Sequence, residues 1–292
     1  MEFESEFFDV GGLGGTTGST EGTYIGETWS RHQIIQVEKA TGLMKLTDSR
    51  FQSDAPPGNI VHVSSVLNMA VRTKSDNTAI TYETVAPTNT EINIDTIRYA
   101  AFGVEDYAAN LSRYDIRKLY LPKMAYAIAL HLDAQVGAMF SSLTGGTIGA
   151  YNTDIDEDLI LLAKQTLDEG DIPKTPRYVV VPPRQEIAFR KITRFTSSEF
   201  NVAALKGMSG PQADMYIGNI HGFQVYVSNN LTATGTSVDC AAFHKEAMAM
   251  IVSKDGEVKE QYELDHFTTK YGRLLIYGKK AIRPTFGVFV KG

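Results

Sequence analysis

Six histidines, one cysteine and the acidic group Asp154, Asp156, Glu157 and Asp158 are the residues of this chain best suited to do chemistry. The histidines, His32, His62, His131, His221, His244 and His266, are scattered. No two stand at the i, i+4 spacing that sets two imidazoles on one helix face for zinc, and a single thiol cannot build a thiolate cluster. The acidic group lacks the loop spacing and central glycine with which a calcium loop wraps its ion. It precedes an apolar-periodic stretch, where carboxylates suit the positive end of a helix dipole, so it reads as capping charge. Cys240 lies beside Ala241, Ala242 and Phe243 and reads as a small buried hydrophobe rather than a nucleophile.

Sequence motifs add no chemistry. There is no G-x-S-x-G elbow, no P-loop and no G-x-G-x-x-G. "GGLGG" near the start follows no strand and opens no helix, so it is a linker and not a phosphate cradle. "NLS" at Asn110 and "NLT" at Asn230 would matter only in a secreted protein, and the acidic start "MEFESEFFDV" has neither the basic nor the apolar region of a signal. The sequence thus predicts no catalytic residue, no metal, no cofactor and no enzyme. A cytosolic α+β hydrolase, with a triad assembled from distant Ser, His and Asp residues, stays open as an alternative.

Composition narrows the partners. A hydrophobic share of 43% with 21% charged residues is that of a soluble globular chain, and 292 residues can bury a sizeable core. No apolar run is long enough to span a bilayer. One cysteine excludes an intramolecular disulfide and fits a reducing compartment. The net charge of −6, with no dense Lys/Arg cluster, argues against tight duplex binding, which draws on phosphate neutralisation.

The elements that would position any site follow from periodicity. Residues 1–26 are rich in Gly, Ser and Thr and read as a flexible arm, either a frayed terminus or a tether ending in Phe3, Phe7 and Phe8. Ordered structure begins at Glu27, with Trp29 as an anchor. Residues 59–66 alternate as a strand. The strongest helix is predicted over 116–143, with Leu121, Met124, Ile128, Leu132, Val136, Met139 and Leu143 on one face. Asp115 would cap it, Pro122 would bend or restart it, and Gly145-Gly146 would end it. His131 and Asp133 read as partly exposed. A second helix is predicted over 155–169, stopped by Gly170. "RYVVVPP" reads as a buried central strand, and Pro183 opens a short helix. "FTSSEFNVAALKGMSGPQADM" is a long irregular segment of the kind used for interaction. "YIGNIHGFQVYVSNNL" is a strand pair, "CAAFHKEAMAMIVS" a strand or a short helix, and the tail forms two strands split at Arg283-Pro284. No internal repeat is present.

One stretch has no core of its own. Residues 70–99 alternate like a strand pair, with Ile80 and Tyr82 on one face of the first strand and Thr90, Ile92, Ile94 and Thr96 on one face of the second. Asn89, Glu91, Asn93 and Asp95 make the opposite face polar. An isolated hairpin is marginal in water, so this ribbon is expected to be held by a neighbouring subunit. Its turn falls at 75–77 or at 86–89.

The order of these segments resembles the major capsid proteins of tailed bacteriophages with the Hong Kong 97-like fold. The resemblance is carried by "ETWSRHQIIQVEKATGLMKL", by "GNIVHVSSV…NTAITYE…EINIDTIRYAAFGVED", by "RYVVVPP", and by "GNIHGFQVYVSNNL…AAFHKEAMAM" with "YGKKAIRP". It covers residues 27–292. It implies an α+β fold with an N-terminal arm (1–26), a peripheral lobe (27–65, 101–152 with the spine helix, and 261–292), an extended β-hairpin loop (66–100) and an axial α/β lobe (153–260). It implies a subunit that self-assembles as pentamers and hexamers into an icosahedral head shell around double-stranded DNA. Such a subunit would be found in the virion after synthesis in the bacterial cytoplasm. An encapsulin-like compartment shell is the alternative within the same fold. A portal is an expected partner, and a separate scaffolding protein is expected because no long helical domain stands ahead of residue 27. The packaged DNA would be enclosed without tight specific binding. No covalent cross-link is expected. Phe7, Phe8, Arg72, Lys74, Tyr82, Glu83, Ile92 and Ile94 are the expected intersubunit contacts.

Overall fold

The computed structural model describes residues 39, 41–54, 59–66, 69–84, 87–112, 115–192, 215–234 and 237–292. The expected arm, Trp29, His32, and nearly all of the irregular segment after residue 192 lie outside the described residues.

The backbone of the fold is the predicted long helix. Asp115 caps it, its carboxylate accepting from the Lys118 amide at 3.2 Å. Helix α2, preceded by the short helix α1 (Asp106–Leu111), spans Ile116–Met139 and ends in a 3-10 turn, Phe140–Ser142. It is continuous through Pro122, so of the expected bend or restart the restart does not occur. Met124, Ile128, Leu132, Val136 and Met139 are buried, as their three- and four-residue spacing requires. Asp133 departs from expectation. It is 2% exposed, because its carboxylate accepts from the amides of Gly42 (2.6 Å) and Met44 (3.3 Å) and so ties the 3-10 turn Leu43–Leu46 to the helix. Burial pushes its pKa up against these hydrogen bonds.

Two larger sheets pack on this helix. The four-stranded sheet contains β3 (Thr96–Glu105), β10 (Met248–Asp255), β11 (Lys259–Glu263) and β12 (Thr268–Ala281). The long strand β12 pairs with β10 and then β11 along one edge and with β3 along the other, all antiparallel. The larger sheet has the order β4-β13-β9-β5-β7-β6. Its strands are β4 (Thr147–Gly149), β5 (Arg177–Val181), β6 (Tyr216–Ile220), β7 (Phe223–Val227), β9 (Ser237–His244) and β13 (Gly287–Lys291), with the two-residue β8 (Ala233–Thr234) on β9. β5 is buried at every position, as a continuous apolar run between prolines implies. The segment 240–253, open between strand and helix, lies in two strands joined by a 3-10 turn.

Helix α2 shares one core with both sheets, including Tyr178, Val180, Tyr226 and Phe243 from the larger and Met250, Leu275 and Tyr277 from the smaller. The other face of the larger sheet is covered by α3 (Glu157–Glu169) and α4 (Pro183–Lys191), through Ile160, Ala163, Leu167 and Phe189. Asp156 occupies the N-cap of α3 but makes no side-chain cap bond, so its carboxylate serves the helix end by its charge.

The closing strands separate. β12 belongs to the smaller sheet and β13 to the larger, so the tail crosses between them after Arg283. Gly145 permits the return, since a Cβ there would lie 2.5 Å from the Thr285 carbonyl and 2.6 Å from that of Gly287. Nor does the strand at 59–66 join the closing strands. It forms β1 (Ile60–Ser65) and pairs with β2 (Thr88–Asn93) in a sheet of two.

Candidate assembly surface

The β1–β2 pair redraws the ribbon. Its second strand was expected to pair with residues near Ile80 and Tyr82, but the register sets Val61 against Ile92 and Val63 against Thr90. The reason is burial. Val61, Ile92 and Ile94 form a small core with Ala249 and Ile251 on the face of the four-stranded sheet turned away from α2. Ile92 is 0% and Ile94 4% exposed. These two expected intersubunit contacts therefore have no side-chain surface to offer a neighbour; they hold the base of the ribbon to its own chain.

Gly278 on β12 makes this docking possible. A Cβ there would overlap the Asn93 carbonyl oxygen and stand 3.1 Å from the Ile94 Cα. The Ile94 amide donates to the Asn59 carbonyl at 2.7 Å, and the Lys280 ammonium to the Glu91 carbonyl at 2.7 Å, closing the seam. Sequence reading missed Gly278 because close approach of two segments leaves no local signal beyond a glycine within a strand.

Beyond this base the chain projects as a loop, residues 69–84, with no strand assigned and every residue exposed. Its turn is the first of the two alternatives. The Thr78 amide and hydroxyl both donate to the Ser75 carbonyl, at 3.4 and 2.6 Å, and Asn77 takes the left-handed conformation at φ 59°. Glu83 clasps the two arms, accepting from the Ala70 amide at 3.2 Å and pairing with Arg72 at 3.3 Å. An exposed pair of this kind contributes about 0–1 kcal/mol, too little to order sixteen residues alone. Lys74 stands free in solvent near the turn, and Tyr82 is 84% exposed. Met69, Val71 and Ile80 are also exposed, and the first two, in the short run Met69-Ala70-Val71, fall outside the alternating faces read at 80–82 and 90–96. Apolar groups gathered on a projection that cannot bury them mark an interaction surface. Phe7 and Phe8 lie outside the described residues.

The residues suited to chemistry are used structurally. His221 pairs with Glu157 at 2.9 Å, joining the β6–β7 turn to α3, and Asp154 pairs with Lys191 at 3.2 Å. His62 lies 2.9 Å from the Asn89 amide and 3.5 Å from Glu91 across the β1–β2 pair. His244 is buried, and His266 faces Glu263. Burial, helped by Asp239, pushes the Cys240 thiol up to about 12, so it is inert at neutral pH. Among the described residues no group of three His, Cys, Asp or Glu side chains is placed to hold a metal.

The arrangement is thus a folded body with an anchored, projecting loop, and known proteins share its fold. A chain from Mycobacterium phage Che8 superposes with a TM-score of 0.75 at 26% identity, over 91% of this chain and 97% of that one. The capsid of cyanophage P-SCSP1u gives 0.70 at 18% identity over 94% of both chains. That of Ralstonia phage GP4 gives 0.69 at 12% identity, over 99% and 98%. The fold is the Hong Kong 97-like capsid fold. No curated protein matches the sequence. Residues 115–290, from the cap of α2 to the last strand, match the family model described as phage capsid protein. The chain belongs to the phage capsid protein family, and it is a shell-forming major capsid protein.

Proposed function

We propose that this subunit builds the icosahedral head of a tailed phage around double-stranded DNA, and that the loop 69–84 is the strap by which each copy holds the next. The observation that carries the strap is Tyr82, with Val71 and Ile80, exposed on a projection whose base is fixed by Ile92 and Ile94. A closed symmetric shell repeats each such contact many times, so individually modest contacts suffice. Arg72, Lys74, Tyr82 and Glu83 are the side chains assigned to the contact. The N-terminal arm, residues 1–26 with Phe7 and Phe8, is assigned the role of a second tether.

The role is structural and not enzymatic. The partners are other copies, as pentamers and hexamers, together with a scaffolding protein and a portal during assembly in the bacterial cytoplasm. The peripheral lobe contains α2 and the four-stranded sheet, and the axial lobe contains α3, α4 and the larger sheet. The charge of −6 suits a wall that encloses DNA without gripping it. Neither the compartment-shell nor the hydrolase reading is favoured by any specific observation. Removal of residues 73–82 tests the strap. The expected product is a folded, soluble subunit with intact thermal unfolding that forms no stable shells in negative stain. Normal shells from that variant would overturn the strap.

A further inference from the structure

Between α2 and the four-stranded sheet lies a group of cations that the shell reading does not use. We propose that Arg98, Lys279 and His131, which face one another from β3, β12 and α2 beside Tyr277, form an oxyanion site that takes a phosphate group. Tyr277 and Lys279 alternate along β12 on the face turned to α2, and Arg98 sits on the same face of the neighbouring β3, its partner across the ladder being Leu275. The Tyr277 ring is buried, 1% exposed. Its hydroxyl lies 2.9 Å from His131 Nε2, and burial pushes the hydroxyl's pKa up against the pull of the nearby Arg98 charge. One helical turn further along α2, Gln135 Oε1 accepts from the Lys279 ammonium at 2.7 Å.

Positive charge here is uncompensated. Among the described residues no ion pair joins Arg98, His131 or Lys279 to a carboxylate, although Lys279 and His131 are half-buried. Near His131 stand the charges of Arg98 from β3 and Lys279 from β12, with the Tyr277 hydroxyl from β12 at 2.9 Å. Burial first, and then repulsion by Arg98 and Lys279, holds the imidazole below its usual pKa. Burial likewise lowers Lys279. Half-buried like charges are unfavourable unless an anion joins them. Three donors of different shape, a guanidinium fork, an ammonium and an imidazole, match the several oxygens of a phosphate better than the two of a carboxylate. Arg98 is exposed, so the site opens to solvent on its side. The phosphate could be free or part of a nucleic-acid backbone, and one such contact per subunit is compatible with a wall that does not grip DNA.

Binding would return a proton to His131, and that is the measurable consequence. Histidine C2-hydrogen exchange, read by mass spectrometry on the full-length subunit, gives the titration midpoint of each described histidine. Inorganic phosphate at millimolar concentration is expected to raise that of His131 by about 1 pH unit, leaving His62 and His266 unmoved. Sodium chloride at matched ionic strength should have little effect. Arg98→Gln and Lys279→Gln, each checked for folding by thermal melting, should abolish most of the response. A short DNA duplex in place of phosphate identifies the source: a shift with duplex means backbone phosphate, a shift with phosphate alone the free ion. An equal shift in chloride, no shift with either ligand, or an undiminished shift in both variants would overturn the site.

Discussion

Gly278 and Ile92 carry more of the fold than their sequence neighbourhood suggests. Gly278→Ala would force the Asn93–Ile94 backbone off β12, and overpacking of this kind costs about 1–3 kcal/mol. Urea unfolding should show a lowered midpoint with unchanged slope. Ile92→Ala removes a fully buried side chain and should cost about 2–5 kcal/mol, whereas Tyr82→Ala should leave stability unchanged within about 0.5 kcal/mol and impair assembly. Equal destabilisation by both would mean that the loop belongs to the subunit's own core. His131 adds a pH dependence. Its folded pKa is depressed below the ordinary 6.5, so its contribution to stability is complete above that value and is lost as pH falls through the folded pKa. His131→Gln should flatten this acid limb of the stability profile in chloride buffer, and an unchanged limb would assign it to other groups.

At the scale of elements, α2, β5 and α4 could be read from sequence because their signals are local. The stripe from Met124 to Met139, the run Arg177–Val181 between prolines, and Pro183 at a helix start each fix their own element. The strap's base could not be read this way. Ile92 and Ile94 alternate identically whether their partner is Ile80 in a free hairpin or Val61 against Ile251, and only tertiary packing decides. The division of the closing strands between two sheets is non-local for the same reason. Asp133 was hidden because its partners, the amides of Gly42 and Met44, are about ninety residues away in the chain. The exposure of Arg72, Lys74, Tyr82 and Glu83 was legible from the missing core alone, and their role as contacts is the proposal. The revised pairing also places limits on the loop experiment. Deleting 73–82 spares β2, but extending the cut through Thr90 should expose Val61 and Ile251 and destabilise the subunit, visible as an earlier thermal transition.

For the whole molecule, one continuous core joins α2 to both sheets, and a second lies under α3 and α4. The rigid part of the subunit is therefore complete without partners, while the loop 69–84 is not. That asymmetry is what a shell protein needs: a body that folds alone and a contact that orders only when copies meet. The most direct measurement is analytical sedimentation with negative-stain imaging of the full-length chain and its 73–82 deletion, each expressed with a scaffolding partner. With the loop 69–84 as the strap, closed shells are expected from the full-length chain and only folded, slowly sedimenting subunits from the deletion. Closed shells from both would contradict this, as would a full-length chain that stays monomeric or dimeric under every condition.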